Sequence, residues 1–77
     1  MNHIYYIEDD PDIAAAVKEY LEQKGFRVTP CATLAQARQE LEDHLPTLVL
    51  LDWNMPDGRG DRLCRWIRSR WKALPII

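Results

Sequence analysis

Apolar runs and amphipathic segments alternate along the chain and predict strands and helices in turn. Apolar, β-prone runs without internal alternation predict strands covered on both faces, at about residues 3–7, 26–30, 47–51 and 74–77. Between these runs, apolar residues recur at helical spacing and predict helices at about residues 11–24, 34–45 and 60–71. The order β-α-β-α-β-α-β indicates an α/β fold with a parallel sheet, right-handed crossovers and helices on both faces.

Residues at the ends of these segments refine the prediction. Asp10 before Pro11 predicts a helix N-cap, Gly25 predicts the end of that helix, and Thr33 is a suitable cap for the second helix. Pro30 favours an edge position for the second strand. The helix faces expected to pack on the sheet comprise Ile13, Ala16, Val17, Tyr20 and Leu21, then Leu34, Ala37, Leu41 and Leu45, and finally Leu63, Trp66 and Ile67.

Length and composition narrow the class of protein. Seventy-seven residues make at most one domain, and 47% apolar with 29% charged residues is ordinary for a globular protein. No apolar run is long enough to cross a bilayer and the start lacks a secretory signal, so we expect a cytoplasmic protein. A last strand of only a few residues would leave an apolar edge uncovered, so residues 1–77 are expected to form the N-terminal portion of an incomplete domain.

The basic residues and the cysteines carry little functional signal. Six of the ten basic residues lie in the last quarter of the chain, which contains Arg59, Arg62, Arg65, Arg68, Arg70 and Lys72. Arg62, Arg65 and Arg68 follow three-residue steps and form an arginine stripe, which in a chain of net charge −2 we interpret as a solvated helix face; direct DNA binding is not expected. Cys31 and Cys64 lack metal-ligand spacing and are expected to be reduced packing residues.

Three carboxylates follow the ends of predicted strands. Glu8 and Asp9 come after the first strand and Asp52 after the third, positions that lie side by side in a flavodoxin-like sheet. Oxygen ligands without nearby His or Cys suit Mg²⁺, and an aspartate so placed can attack phosphorus, with Asp52 the favoured nucleophile. Carboxylates after strands also serve as helix caps or form Asx turns, the role that we assign to Asp10. The residues alone leave both interpretations open for the other three.

Three segments together resemble one known family. They are the runs at residues 4–10 and 48–58, the second followed by Gly60, and the closing run at 74–77. They resemble the receiver domain of bacterial two-component response regulators, in register over the whole chain. The resemblance implies a flavodoxin-like doubly wound parallel sheet of strand order 2-1-3-4, with residues 74–77 beginning the fourth strand.

The resemblance also implies the residues of a site. Asp52 matches the phosphoacceptor, Asp9 a direct Mg²⁺ ligand, Glu8 a residue that holds a metal-bound water, and Asn54 a ligand through its backbone carbonyl; no organic cofactor is implied. Such a protein takes a phosphoryl group from a sensor histidine kinase and switches an output module, often a transcriptional one. It is a phosphorylated substrate rather than an enzyme in the ordinary sense. DNA contact would come only through an output domain that these residues do not contain.

Two departures and three alternatives accompany this hypothesis. The family's hydroxyl residue after the fourth strand and its lysine after the fifth have no counterpart among the 77 residues, so phosphotransfer by this segment alone is expected to be impaired. The run from Asp52 to Asn54 also suggests a phosphohydrolase of the haloacid-dehalogenase type, although that family has a second aspartate where Asn54 stands. A pseudo-receiver that only binds proteins is another alternative. The exposed strand edge further suggests a homodimer.

Overall fold

Three parallel strands form the centre of the fold. In the computed structural model, which describes residues 2–77, they are β1 (His3–Ile7), β2 (Arg27–Cys31) and β3 (Leu48–Leu51), in the order β2-β1-β3. Beyond β3, Ile76 pairs with Val49 in a parallel bridge, with hydrogen bonds of 3.0 Å from Val49 N to Pro75 O and 2.9 Å from Ile77 N to Val49 O. The predicted order 2-1-3-4 is confirmed, with residues 74–77 in the fourth place as a bridge rather than a full strand.

The three crossover helices begin and end near their predicted limits. They are α1 (Pro11–Gln23), α2 (Leu34–Asp43) and α3 (Gly60–Arg70). The Asp10 carboxylate accepts the N–H groups of Asp12 at 2.9 Å and Ile13 at 3.2 Å, which confirms it as the cap of α1. The Thr33 hydroxyl accepts the Gln36 N–H at 3.1 Å. None of the helices within residues 2–77 has the length and hydropathy that a membrane span requires.

The main core lies between the sheet and the pair α2 and α3. Fully buried side chains of β1 and β3 meet those of the two helices there, among them Tyr5, Ile7, Val49, Leu41, Leu63 and Ile67. Buried Cys31 belongs to the same cluster, and both cysteines are free thiols, as predicted. The Tyr5 hydroxyl donates to the backbone carbonyl of His44 at 2.6 Å, so β1 is tied to the end of α2.

The face of α1 that packs on the sheet differs from the prediction. Ile13 and Tyr20 are 47% and 58% exposed, and Ala16 is exposed as well, whereas Ala14 is buried and Val17 and Leu21 are half-buried. The buried positions recur at three- and four-residue steps from Ala14, which leaves Ile13 and Tyr20 on the flank of the helix.

The predicted apolar face of α2 is correct except at its end. Leu34, Ala37 and Leu41 are buried, but Leu45 is 50% exposed. The helix ends at Asp43, two residues before the predicted limit, so Leu45 no longer follows the helical repeat.

The arginine stripe of α3 is exposed, as predicted, but Arg68 has a structural contact. Arg62, Arg65 and Arg68 are all solvent-exposed, and Arg65 pairs with Asp61 at 3.2 Å. The Arg68 guanidinium donates to the backbone carbonyl of Leu74. This contact holds the end of α3 next to the segment that pairs with β3.

A small hairpin lies between the predicted third strand and the predicted third helix. Strands β4 (Asn54–Met55) and β5 (Gly58–Arg59) pair in antiparallel fashion, and β4 begins two residues after Asp52. Met55 is buried in the main core, and Gly58 adopts φ +147°, a conformation that favours glycine. The segment between β3 and α3 is therefore held in place by a buried side chain and a tight turn.

Candidate metal and phosphoacceptor site

The ladder of the parallel sheet brings the three predicted carboxylates together. Glu8 N donates to Cys31 O at 3.0 Å and Asp52 N donates to Ile7 O at 3.0 Å, so pairing continues one residue beyond each strand. As a result, one carboxylate oxygen from each of Glu8, Asp9 and Asp52 lies within 4.8 Å of the other two. The structure places the cluster at the carboxyl edge of the sheet, where open α/β sheets bind ligands.

The three carboxylates differ in their exposure. Glu8 is only 8% exposed, Asp52 is half-buried and Asp9 is exposed. Asp10 caps α1 instead of joining the cluster. Two cavities of about 390 Å³ and 460 Å³ adjoin the site, the first bordered by Asp9 and the second by Asp52, and both reach Glu8. A small ion or phosphoryl group therefore has space next to the carboxylates.

Glu8 and Asp52 share one proton, and their pKa values shift in opposite directions. A hydrogen bond between the two carboxyl groups, burial of Glu8 and the nearby charge of Asp52 raise the pKa of Glu8 to about 7. The same hydrogen bond, together with the Asn54 N–H that donates to Asp52 Oδ1 at 3.3 Å, lowers the pKa of Asp52. Below neutral pH, Glu8 is therefore largely protonated and Asp52 is ionised.

The donor set of this cluster fits a hard divalent cation. Among residues 2–77, the buried Glu8 Oε2 accepts no hydrogen bond. An unpaired buried oxygen is costly, and a cation or its bound water would satisfy it. Three carboxylates without His or Cys are the oxygen ligands that Mg²⁺ prefers.

Gly60 allows α3 to begin directly behind the acidic cluster. A Cβ atom at this position would lie 2.9 Å from the backbone oxygen of Asp52 and 3.2 Å from the Leu51 side chain. Gly60 N also donates to Trp53 O at 2.7 Å. Glycine is therefore required by a close approach of two backbone segments.

One contact near the site is absent from the sequence predictions. The Asp57 carboxylate, at the turn of the hairpin, accepts the N–H groups of Leu34 at 2.9 Å and Ala35 at 3.0 Å. Asp57 thus caps α2 from 23 and 22 residues away. The residues around Asp57, with Pro56 before it and Gly58 after it, favour a turn but do not specify a partner for the carboxylate.

Comparison with known proteins connects this geometry with one family. GltR, a transcriptional regulatory protein of Pseudomonas aeruginosa, is 40% identical over 76 residues, which cover 96% of this chain and 31% of GltR. The solved receiver domain of HemR from Leptospira biflexa has a TM-score of 0.94 and 34% identity, and the match covers 99% of this chain and 61% of that one.

A second structural neighbour was solved in two complexes. The response regulator protein TrrA of Thermotoga maritima, 28% identical, has a TM-score of 0.94 in a complex with Mg²⁺ and BeF, covering 99% of this chain and 66% of TrrA. It was also solved with the histidine kinase ThkA. The sequence model of the response regulator receiver domain matches residues 4–77. The chain therefore belongs to the response regulator receiver domain family.

Proposed function

We propose that residues 1–77 form the N-terminal portion of a phosphorelay receiver domain in which Asp52 accepts a phosphoryl group with the help of Mg²⁺. The convergence of Glu8, Asp9 and Asp52 at the carboxyl edge of the sheet is the observation that supports this proposal most strongly. Family membership supports the same role for Asp52. It also removes the basis for the haloacid-dehalogenase alternative, because the chain matches the receiver family along almost its whole length.

The metal would be held by oxygen atoms of four residues. Asp9 and Asp52 would bind it directly through their carboxylates, Asn54 through its backbone carbonyl, and Glu8 through a bound water. When bound, Mg²⁺ supplies positive charge that offsets repulsion between the carboxylates and an incoming phosphoryl group. An ionised Glu8 would accept a hydrogen bond from the metal-bound water, so Mg²⁺ binding should favour loss of the Glu8 proton.

Two features of Asp52 support its proposed role as phosphoacceptor. Its lowered pKa keeps the carboxylate ionised, and the Asn54 N–H fixes the Oδ1 atom at 3.3 Å. The other carboxylate oxygen would attack phosphorus while the bond between phosphorus and the histidine nitrogen of the donor breaks, and the electron pair returns to that nitrogen. The product is an acyl phosphate on Asp52 and a free histidine. A change in the loop after β3 would then alter the surface that the output module contacts.

The proposed partners follow from the relatives. TrrA was solved with the histidine kinase ThkA, which supports a sensor histidine kinase as the phosphodonor of this chain. GltR is a transcriptional regulatory protein, which supports a transcriptional output outside these residues. We place the protein in the cytoplasm, where histidine kinases present their phosphohistidine. Pairing of two copies through the edge at Ile76 stays a prediction, and light scattering that finds a monomer at high concentration would contradict it.

The phosphorylation experiment uses two proteins. One is the 77-residue chain, and the other is a fusion in which the remaining part of the HemR receiver follows Ile77. Each is incubated with Mg²⁺ and a small phosphodonor, and intact mass spectrometry counts the phosphates added. We expect one phosphate on the fusion, slower addition to the 77-residue chain, and no addition without Mg²⁺.

Two variants control this experiment. Asp52→Asn should abolish the adduct, whereas Asp10→Asn, which alters only the cap of α1, should retain it. An adduct that survives Asp52→Asn, or a folded fusion that takes up no phosphate, contradicts the proposal. The second outcome would favour the pseudo-receiver alternative.

A further inference from the structure

The hairpin of β4 and β5 is attached to α2 through Asp57. The first two N–H groups of α2, those of Leu34 and Ala35, have no partner within the helix and both donate to the Asp57 carboxylate. The Leu34 N–H is the main cause that lowers the pKa of Asp57. Asp57 is therefore ionised at neutral pH, and its charge complements the positive end of the helix dipole.

The same hairpin is attached to the acidic cluster at its other end. Asn54 opens the hairpin and donates its N–H to Asp52 Oδ1 at 3.3 Å, and Gly60 N closes it by donating to Trp53 O at 2.7 Å. Between these points, Met55 is buried in the core. A hairpin held at both ends and in the middle transmits a displacement at one end to the other, because it has little freedom to absorb it.

Side-chain packing supports the hydrogen bonds at the α2 end. A Cβ atom on Gly58 would lie 3.3 Å from Leu34 Cδ1, so the turn of the hairpin rests directly on the first residue of α2. The third N–H of α2, that of Gln36, is capped separately by the Thr33 hydroxyl at 3.1 Å. The start of α2 therefore has two independent caps, of which only one belongs to the hairpin.

We propose that Asp57 is a positioning residue that couples the first turn of α2 to metal binding at the acidic cluster. This inference depends on the proposed function, since it assumes that the Asn54 carbonyl is a metal ligand. Asp57 touches neither the metal nor the phosphoryl group. It acts by holding the hairpin in the position in which the Asn54 backbone faces the site before the metal arrives.

Coupling of this kind works in both directions. If the Asp57 contact favours metal binding, metal binding must strengthen the Asp57 contact by the same factor. Mg²⁺ should therefore slow hydrogen exchange of the Leu34 and Ala35 amides, which donate hydrogen bonds to Asp57. Exchange of the Gln36 amide, which donates a hydrogen bond to the Thr33 hydroxyl, should slow less.

The test measures Mg²⁺ affinity of the 77-residue chain by isothermal titration calorimetry. Asp57→Ala and Asp57→Asn are compared with Thr33→Ala, which removes the other cap of the same helix end, and the thermal stability of all three variants is measured alongside. We expect both Asp57 variants to bind Mg²⁺ roughly fivefold more weakly, the lower end of the usual range for coupled sites, and Thr33→Ala to bind as the wild type does. The titration is carried out in about 1 M KCl, where a screening length of about 3 Å suppresses the effect of charge loss alone.

Hydrogen exchange with and without Mg²⁺ gives a readout that needs no variant. Equal affinities of the Asp57 and Thr33 variants, or exchange of Leu34 and Ala35 that Mg²⁺ leaves unchanged, would overturn the coupling. If Asp57→Ala fails to fold, the Mg²⁺ affinity of Asp57→Asn and the hydrogen exchange of the wild type test the coupling instead. If the wild type binds Mg²⁺, Asp52→Asn abolishes binding and the Asp57 variants bind normally, this inference is refuted and the proposed function is not. Absence of wild-type binding would refute the proposed function with it.

Discussion

The raised pKa of Glu8 predicts an unusual dependence of stability on pH. In the unfolded chain Glu8 ionises near its ordinary pKa of 4.5, whereas in the folded protein it ionises at about 7. The folded state therefore binds more protons between these values, and the free energy of unfolding should fall as pH rises from about 4.5 to 7. Below this window the stabilisation is complete, and above it the stabilisation is lost.

The magnitude follows from the difference between the two pKa values. At about 1.4 kcal/mol for each pH unit, the displacement from 4.5 to about 7 corresponds to an upper limit between about 3 and 4 kcal/mol. Asp52 acts in the opposite sense, because its pKa is lowered, but its contribution is lost only as pH falls below the ordinary value of 3.8. A loss of about 3 kcal/mol is large for a domain whose total stability is on the order of 5 kcal/mol.

The assay is urea unfolding followed by tryptophan fluorescence at several pH values between about 5 and 8, without divalent cations. We expect wild-type stability to fall across this range. The Glu8→Gln variant, which cannot ionise at this position, should lack this fall and be more stable than the wild type at the upper end. Saturating Mg²⁺ should restore much of the wild-type loss at high pH. Parallel curves for the wild type and Glu8→Gln would refute the shared proton between Glu8 and Asp52.

Three further substitutions test other contacts. Gly60→Ala places a Cβ atom 2.9 Å from the Asp52 backbone oxygen, so calorimetry should show weaker Mg²⁺ binding and urea unfolding a loss of about 1 to 3 kcal/mol; an unchanged affinity would contradict the close approach. Tyr5→Phe removes the 2.6 Å hydrogen bond to His44 and should cost about 1 kcal/mol in urea unfolding without changing Mg²⁺ affinity. Asp10→Ala removes the cap of α1 and should cost about 1 kcal/mol, again with normal Mg²⁺ affinity; weakened binding would place Asp10 in the site.

Much of the fold could be predicted because its signals are local. Apolar runs without alternation indicate buried parallel strands, and Asp10 and Thr33 cap the helices that they were predicted to cap. The face of α1 could not be fixed in the same way. Ile13 and Ala14 are both apolar, and only the packing of the helix against the sheet decides that Ala14 is buried.

The site was predictable where it depends on topology and unpredictable where it depends on long-range contacts. Parallel strands end at one edge, so Glu8 and Asp52 were expected to meet, as they do. The cap that Asp57 provides to Leu34 crosses 23 residues, and no pattern in either segment identifies the other. The two-residue strands of the hairpin are likewise too short to give a periodic signal.

The central claim is that Glu8, Asp9 and Asp52 form one Mg²⁺ site, and calorimetric titration of the 77-residue chain with Mg²⁺ near pH 8 tests it most directly. We expect one ion for each chain, with affinity at least tenfold weaker in Asp9→Asn and in Asp52→Asn. Asp12→Asn, which removes an exposed charge of α1 outside the cluster, should bind like the wild type. A chain that does not bind Mg²⁺, or site variants that bind it as tightly as Asp12→Asn does, would contradict the account.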